Sequence, residues 1–340
     1  MNLAVGYWRA GLWPLLLLLC ILVTMSFAIG QYPIGVADVL KLISQKLLGV
    51  PHHLPTVAET VIWQVRLPRI AGALLVGAAL AAAGATYQGM FRNPLVSPDI
   101  LGVSSGAGLG AVLGIFLSLP VIGIQLLAFA FGLATVFLVY LLATTVRGHE
   151  PVLVLVLAGV VLGTLTGSVI SLLKILADPY DQLPAITFWL LGSLAAVNVD
   201  DVLTALPAVL LGLIPLTLLR WRLNVLALGD EEASTLGVDV KKLRITFIVA
   251  ATLMTAAVVS ISGTVGWVGL IMPHIARLWV GPNFQRLLPA SMLLGAGYLL
   301  LVDDLARSLT RIEIPLGILT AFLGAPFFLW LLARSRRGWQ

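Results

Sequence analysis

The sequence predicts an all-α polytopic membrane protein with about ten transmembrane helices, and two properties of the chain carry this prediction. Its 340 residues are 60% hydrophobic and only 10% charged, whereas soluble domains average roughly 25% charged residues. So few charges do not cover a water-soluble globule of this size. Apolar runs of about 17–25 residues, long enough to cross a bilayer as helices, also recur along the chain.

Ten apolar runs are candidate spans. They lie at about residues 12–31, 62–86, 101–117, 121–145, 152–173, 202–219, 243–262, 265–280, 287–306 and 315–333. The first is interpreted as an uncleaved span, because it is longer than a signal-peptide core and is preceded by a single cation, Arg9. Cys20, the only cysteine, excludes an intramolecular disulfide. The polar connection at 174–201 predicts a short helix at the membrane surface.

The distribution of cations predicts the orientation. With both termini placed in the cytoplasm, most of the 20 Lys and Arg residues fall on the cytoplasmic side, as the positive-inside rule requires. The basic net charge of +5 is therefore explained by the cytoplasmic loops and does not indicate a nucleic-acid partner. The remaining cations fall outside: Lys41, Lys46, Arg66, Arg69, Lys174, Arg307 and Arg311.

The chain 1–340 is interpreted as one permease domain built from two inverted repeats, at about 61–173 and 240–333. At one constant offset, three chain-breaking residues of the first half fall on identical residues of the second half: Gly84 on Gly263, Pro94 on Pro273 and Gly102 on Gly281. The first copy starts outside and the second inside, which is a common plan among transporters. Chance identity in an apolar sequence is the alternative.

The largest cytoplasmic loop, about 220–244, reads "RWRLNVLALGDEEASTLGVDVKKLR". Asp230 is expected to cap a short helix whose first turn carries Glu231 and Glu232, where acidic residues favour the positive end of the helix dipole. Gly237 is expected to end that helix. A capped, charged helix is rigid and suits docking of a partner, whereas a solvated connection is the alternative.

A second unusual stretch, "FRNPLVSPDILGVSSGAG" at 91–108, interrupts the apolar pattern. Pro94 removes a backbone donor and biases Asn93 away from helix. Such backbone is tolerated at membrane depth only where it is buried in protein or lines a water-filled cavity, although an ordinary interhelical turn remains the alternative. No phosphate-binding G-x-x-x-x-G-K-[ST] motif occurs, so the chain encodes no ATP site of this kind.

Several stretches resemble FecCD-type permeases of ABC importers, a family that imports ferric siderophores, haem, cobalamin and related metal chelates. They are "RLPRIAGALLVGAALAAAGATYQGMFRNPLVSPDILGVSSGAG", "GTVGWVGLIMPHIARL" and "IPLGILTAFLGAPFFLWLL", and "ALGDEEASTLG" looks like the coupling loop of ABC importer permeases. The resemblance implies a homodimer in the inner (cytoplasmic) membrane of a bacterium or archaeon. Two ATPase subunits would bind ATP and Mg, and a periplasmic or lipid-anchored protein would deliver the substrate. This chain would bind no cofactor or metal and catalyse no reaction.

The resemblance also implies roles for particular residues. The ATPase-coupling residues would be Asp230, Glu231, Glu232, Ala233, Leu236 and Gly237. Asn93 and Leu95 would form the cytoplasmic gate, and Gly159, Gly163 and Gly167 are candidate residues of the translocation path. Arg66, Arg69 and Arg307 would dock glutamates of the binding protein through bidentate bonds. Snorkelling to lipid headgroups and an Asp303–Arg307 helix pair are the alternatives for these arginines.

Two other functions are weighed against the importer. An ATP-independent secondary transporter or channel needs a coupling-ion site, yet few ionisable residues lie inside the predicted spans. An intramembrane enzyme needs a catalytic constellation, and the sequence contains no evident one. The cargo, a metal chelate or an oxyanion, is not encoded in any motif, and neither is a role for His52, His53 or Asp304.

Overall fold

The structure is a computed structural model that describes residues 11–30, 32, 34–48, 56–145 and 151–335. Within these residues the chain is helical and contains no strand, which confirms the all-α polytopic prediction. The helices are α1 (Trp13–Ala28), α2 (Val36–Leu48), α3 (Thr56–Thr60), α4 (Leu67–Met90), α5 (Val103–Phe116), α6 (Val121–Thr145), α7 (Pro151–Leu176), α8 (Gln182–Leu191), α9 (Val199–Leu218), α10 (Arg220–Leu226), α11 (Asp230–Thr235), α12 (Val240–Ser262), α13 (Val268–Val280), α14 (Phe284–Ser308) and α15 (Leu316–Ser335). His52 and His53 lie outside the described residues.

Every predicted span corresponds to a helix, but the spans are not equal in length. Among the described residues, six helices are long and apolar enough to cross a membrane: Val57–Met90, Val121–Thr145, Leu153–Leu176, Val199–Leu218, Val240–Ser262 and Phe284–Ser308. The other four predicted spans are the shorter apolar helices α1, α5, α13 and α15. The connection at 174–201 forms the predicted short helix, α8, whose Ile186 is fully buried against α5 and the end of α7.

The central helix α4 is buried along most of its length between α12, α13 and α14. A π-helical turn, Val61–Arg66, joins it to α3, and the Leu67 N–H donates five residues back to the Ile62 carbonyl. The wider turn directly precedes Pro68, which has no N–H and whose ring crowds the preceding helical turn. We infer that this turn lets one apolar helix continue through the proline.

Glycines allow the central helices to approach closely. A Cβ on Gly84 would lie 1.8 Å from the Gly269 carbonyl oxygen, and one on Gly77 would lie 2.2 Å from that of Gly295. In lipid no hydrophobic force drives helices together, so small residues that permit backbone contact hold such a bundle together. Backbone contact at Gly84 fixes α4 directly against the start of α13.

Two spans are interrupted, and the interruptions meet. α5 is preceded by irregular backbone and a 3-10 turn (Pro98–Leu101), while α13 is preceded by the segment 263–267. A Cβ on Gly269, in the first turn of α13, would lie 2.9 Å from Pro98, so the 3-10 turn before α5 packs against the start of α13. Discontinuous helices in two halves of a transporter are a pointer to its substrate site.

The inverted repeat remains a prediction, although the residue pairs proposed for it are not equivalent in local structure. Gly84 lies inside α4, whereas Gly263 ends α12 with a φ of +65°. Pro94 lies in a turn, whereas Pro273 lies inside α13. These identities therefore do not by themselves support the repeat.

Two sets of charged residues lie at opposite ends of the bundle. Arg307 is near the end of α14, and Asn283, at its start, accepts a bond from Asn224 of α10. The 25 residues of α14 rise by roughly 37 Å at 1.5 Å per residue. We call the end that contains Arg66, Arg69 and Arg307 the arginine end, and the end that contains 220–244 the loop end.

Replacing Gly84 by Ala is expected to destabilise the bundle, because the new methyl group overlaps the Gly269 backbone. Overpacking of a well-packed core costs roughly 1–3 kcal/mol. The thermal unfolding midpoint in detergent should fall below that of the unmodified protein. Gly167→Ala is the matched control, because nothing lies within 4 Å of a Cβ at that position. Equal midpoints for the two variants would contradict this packing argument.

Candidate functional site

A cavity of about 740 Å³ lies where the two interrupted spans meet the face of α15. Its lining residues are Asp99, Ser104, Leu190, Leu191, Thr264, Val265, Gly266, Trp267, Gly317, Ile318, Ala321, Phe322, Ala325 and Pro326. Most of these side chains are apolar, and Asp99 is the one charged side chain among them. Asp99 accepts a hydrogen bond from the Ser104 hydroxyl.

Trp267 shapes one wall of the cavity. It precedes α13 with a φ of +71°, a left-handed conformation that is costly for a bulky residue. Its indole lies where a side chain on Gly324 of α15 would project, since a Cβ there would be 2.7 Å from the ring. The ring also packs edge-on against Phe328, with centroids 6.3 Å apart. α15 and the interruption before α13 are thus fitted to each other.

Main-chain contacts hold the other wall. Gly192 ends α8 with a φ of +73°, and a Cβ there would lie 2.4 Å from the Thr264 carbonyl oxygen. The Gly192 carbonyl accepts a hydrogen bond of 2.8 Å from the Leu316 N–H, at the start of α15. α8, the segment 263–267 and α15 are therefore joined through backbone at the cavity.

The three glycines proposed for the path do not line this cavity. Gly159 is a packing position instead, because a Cβ on it would lie 2.1 Å from the Ile100 carbonyl oxygen. A Cβ on Gly163 would make ordinary contact with Ser105, and Gly167 faces open space. A path contribution from Gly163 and Gly167 stays a prediction.

The proposed gate residues lie in a tight turn at the loop end. The Asn93 side-chain oxygen accepts a 2.9 Å bond from the Leu95 N–H, and the Asn93 N–H donates to the Gln88 carbonyl. Arg92 adopts a φ of +52°, which reverses the chain after α4. Leu95 is 46% exposed. The turn therefore presents an apolar side chain on a locally braced backbone, and its role as a gate stays a prediction.

The loop end carries the predicted short helix, α11, between α10 and α12. Its end is a Schellman motif: Gly237, with a φ of +79°, donates to Ser234, and Val238 donates to Ala233. Ala233 is fully buried. The exposed side chains of the helix are those of Glu231, Glu232, Ser234 and Thr235, followed by Leu236.

The prediction that Asp230 caps α11 is wrong. Gly229 is the N-cap, and Asp230 is the first helical residue. Its carboxylate instead accepts a 2.7 Å charged hydrogen bond from Arg244 of α12. A side-chain cap occurs at the next helix, α12, where Asp239 accepts a hydrogen bond from the Lys242 N–H. This bond lowers the pKa of Asp239 below its ordinary value. α11 is thus tied to α12 by an ion pair.

At the arginine end, the three proposed docking arginines are buried and bonded within the chain. Arg66 donates to the Phe27 carbonyl, in the last turn of α1, and to the Tyr32 carbonyl, which follows α1. The Arg69 Nε donates to both oxygens of Asp303 at 2.9 Å. The Arg66 bonds tie α4 to the end of α1, and the Arg69 bonds tie α4 to α14.

Arg307 and Asp304 form the rest of this cluster. Arg307 donates to Asp304, to the Ser26 hydroxyl and to the carbonyls of Ser26 and Ile29. The Ser26 hydroxyl in turn donates to Asp304 at 2.6 Å. Asp304, which the sequence left without a role, is therefore a counter-ion of Arg307. The arginines do not snorkel outward here, and docking by them stays a prediction.

Sequence reasoning missed three residues of these sites. Asp99 and Trp267 lie within the stretches that resemble a known family but have no predicted role there, and Glu313 bonds Arg69 Nη1 at 2.8 Å. The one sequence feature that indicates Glu313 is its charge, two positions before Pro315 at the start of the last span. Its partner, Arg69, lies 244 positions away in sequence, so local pattern did not predict the contact.

Comparisons with known proteins agree on one family. The model of the FecCD transport family matches residues 16–334. The molybdate import system permease protein MolB of Haemophilus influenzae is 43% identical over 96% of both chains. A probable iron chelatin transport system permease protein of Helicobacter pylori is 46% identical over 81% of this chain and 83% of its own length. A solved inward-facing structure of a transporter assigned to the metal-chelate ABC type is 43% identical, covers 95% of this chain and 98% of its own, and has a TM-score of 0.85.

Asp304→Asn is expected to destabilise the arginine end, because it removes the charge that compensates buried Arg307. Breaking a buried ion pair costs about 3–5 kcal/mol, and Asp303, with an oxygen 3.7 Å from Arg307, offsets part of this loss. The thermal unfolding midpoint in detergent should fall clearly. Asp200→Asn, an exposed residue at the start of α9, should leave it unchanged. Midpoints that do not differ would show that the cluster contributes little to stability.

Proposed function

The chain belongs to the FecCD transport family, and from that premise we propose that it works as the membrane-spanning subunit of an ATP-driven importer. Membership makes it a transport permease, and in the proposal it catalyses no reaction itself. In the proposal, two ATPase subunits bind and hydrolyse ATP with Mg, and this chain binds no cofactor. A separate substrate-binding protein delivers the cargo on the opposite side of the membrane.

The observation that carries the proposal is the rigid acidic helix at the loop end. α11 is anchored by buried Ala233, by the Asp230–Arg244 pair and by its Schellman end, while Glu231, Glu232 and Leu236 remain exposed. A helix fixed in this way transmits force from a bound partner to α12, which leads to the cavity. A secondary transporter or channel has no use for such a docking element.

We further propose that two copies form a homodimer whose path runs along the twofold axis. Exposed apolar side chains on α7 and α15 support this arrangement, among them Leu165 and Phe322. In such a dimer the cavity of each copy would open towards the axis. Asn93 and Leu95 would meet their symmetry mates at the cytoplasmic end, because their turn lies at the loop end.

The proposed location is the inner membrane of a bacterium or archaeon, with the loop end in the cytoplasm. The described cations support this orientation, since Arg92, Arg220, Lys241, Lys242 and Arg286 lie at or next to the loop end. The positive-inside rule therefore favours a cytoplasmic position for that end. The arginine end faces the binding protein.

The proposed cargo is a metal chelate. The names of the relatives include both an iron chelatin and molybdate. The cavity of about 740 Å³ lies within the range of about 300–1,000 Å³ that encloses drug-sized ligands. It is mostly apolar, and its one ionisable side chain is that of Asp99. A large and mostly apolar cavity favours a bulky chelate over molybdate.

The proposal is tested at α11. Glu231→Lys reverses the charge of an exposed residue that makes no side-chain bond in the structure, so the dimer should still insert. ATPase co-purification and ATP-driven uptake of a ferric chelate into proteoliposomes should both fall, by about tenfold if one charge-assisted contact of roughly 1.5 kcal/mol is lost. Asp181→Lys, at the other end of the bundle, is the control. Undiminished uptake with normal ATPase binding would refute this role of α11.

The gate proposal has its own test. Leu95→Ala removes an apolar constriction from both copies at once, so small solutes should leak from proteoliposomes that contain the permease without ATP. Asn93→Ala should leak less, because its side chain contributes one local hydrogen bond worth about 0.5–1.5 kcal/mol. With Cys20 replaced, Leu95→Cys should crosslink the two copies. If Leu95→Ala does not leak and Leu95→Cys does not crosslink, the segment is only a turn.

A further inference from the structure

A second cavity lies at the loop end, apart from the cavity at the two interrupted spans. It has a volume of about 700 Å³ and is bordered by α6, the start of α7, α11 and the start of α12. We call it the head pocket. Asp230 and Ser234, one helical turn apart, place one face of α11 on it, whereas Glu231, Glu232 and Leu236 do not line it. The head pocket therefore lies behind the face of α11 that is proposed to meet an ATPase.

The head pocket carries one more positive charge than its surroundings neutralise. The side chains on its wall that are charged at neutral pH are Asp230, Asp239, Lys241 and Arg244. Arg244 pairs with Asp230 at 2.7 Å, and Lys242, just outside the pocket, pairs with Asp239 at 3.0 Å. Lys241 is exposed and makes no ion pair with any residue that the structure describes. One cation is thus left for a negatively charged ligand.

Arg244 also has donors that its protein partner does not use. Its Nη2 donates to Asp230, while its Nε is buried with no hydrogen-bond partner in the described chain. A guanidinium carries five N–H donors in a planar fork that suits a phosphate group. Lys241 and Arg244 are three positions apart on α12, so they lie on the same side of the helix. Together they offer a phosphate two cationic contacts.

The head pocket continues into an apolar groove between α6 and α12. This groove, which we call the tail groove, has a volume of about 210 Å³ and shares Tyr140, Ile245 and Ile248 with the head pocket. The rest of its wall is apolar except for one threonine and consists of Leu133, Val136, Phe137, Val249, Thr252 and Leu253. Phe137 and Val249 are 64% and 58% exposed, so the groove is open at the outer surface of the bundle.

The two cavities together have the length and the polarity of one lipid molecule. From Lys241 to Leu253, helix α12 rises by roughly 18 Å, at 1.5 Å per residue. One leaflet of a hydrocarbon core of about 30 Å is about 15 Å deep. The cations therefore lie at the level of the headgroups, while the groove runs through one leaflet. A small free anion would leave the tail groove empty, so the match favours a lipid.

We propose that the head pocket and the tail groove bind one anionic phospholipid, with its phosphate at Lys241 and Arg244 and one acyl chain along α6 and α12, and that this lipid supports α11 from behind. The main contacts of α11 are with α10 and α12, and the head pocket separates it from α6 and α7. A filled pocket gives the short helix a third support. The site requires only that the chain lies in a membrane, so it does not depend on the ATP-driven mechanism.

The headgroup is tested by native mass spectrometry on the whole chain, purified in detergent and stripped of lipid. Phosphatidylglycerol and phosphatidylcholine with identical acyl chains are titrated separately. One phosphatidylglycerol should bind per chain, with a Kd about tenfold lower than that of phosphatidylcholine. Lys241→Gln should raise the Kd of phosphatidylglycerol about fivefold, the usual contribution of one basic residue beside anionic lipid, and leave that of phosphatidylcholine unchanged.

Arg286→Gln is the matched control, because it removes an exposed cation from the same end of the bundle without touching either cavity. It should leave both Kd values unchanged. Equal Kd values for the two lipids, or equal effects of Lys241→Gln and Arg286→Gln, would overturn the proposal. Displacement of phosphatidylglycerol by inorganic phosphate at the same concentration would also overturn it, because the site would then take a free anion.

The acyl chain has a separate test. Val249→Trp fills the tail groove and should raise the Kd of both lipids about fivefold or more. Leu138→Trp is its control, since Leu138 is exposed on α6 beside Phe137 but does not line the groove. If the two variants bind lipid equally, the tail groove holds no acyl chain and the proposal fails. Loss of a dimer in Val249→Trp alone would assign the groove to a second copy of the chain and would equally overturn it.

The support of α11 is measured by hydrogen exchange in nanodiscs of either lipid. Amides of α11 should exchange about threefold more slowly in phosphatidylglycerol than in phosphatidylcholine, both in the parent and in Arg286→Gln. The difference should disappear in Lys241→Gln. Equal exchange of the parent in both lipids would overturn the support of α11. None of these measurements involves transport, so a negative result leaves the importer proposal standing.

Discussion

The need to satisfy every polar group without water governs this structure. In hydrocarbon, an unpaired backbone group or charge costs several kcal/mol, so irregular backbone and ionised side chains persist only where the protein itself supplies partners. The chain departs from continuous helix before α5 and before α13, and it buries charges around Arg69 and Arg307. These exceptions are packed against each other or neutralised, and the two interruptions line the cavity together with α8 and α15.

The helices and their order are predictable from the sequence because hydrophobicity is a local property. The hydrophobicity of each apolar run indicates that the run lies in lipid, and Pro94 indicates a local break in the helix. The packing partners are not local: Arg69 and Asp303 are 234 positions apart. Sequence reasoning therefore found the charged residues but not their pairing. Asp230 failed as a cap for a similar reason, since Arg244 offers its carboxylate a stronger partner than the first turn of α11.

Glycine illustrates the same division between local and long-range information. Gly106 and Gly110 are packing positions in α5, because a Cβ on them would lie 2.6 and 2.2 Å from the carbonyl oxygens of Phe131 and Leu127. Gly159 is also a glycine in an apolar helix, yet it packs against Ile100 and does not line the cavity. A glycine in a membrane helix is compatible with contact or with open space, and only the position of the neighbouring helix decides between them.

The cavity lies between two ends that differ in how their charges are held. At the loop end, charged side chains are exposed on a helix whose backbone is fixed, so a partner meets a rigid surface. At the arginine end, the charges are buried and bonded to one another around Arg69 and Arg307. The loop end connects to the cavity through the whole length of α12, and the arginine end connects to it through the short segment from Glu313 to α15. A transporter has to sense cargo delivery on one side and apply force from the other. A rigid helix suits the second task, because it does not yield when it is pushed.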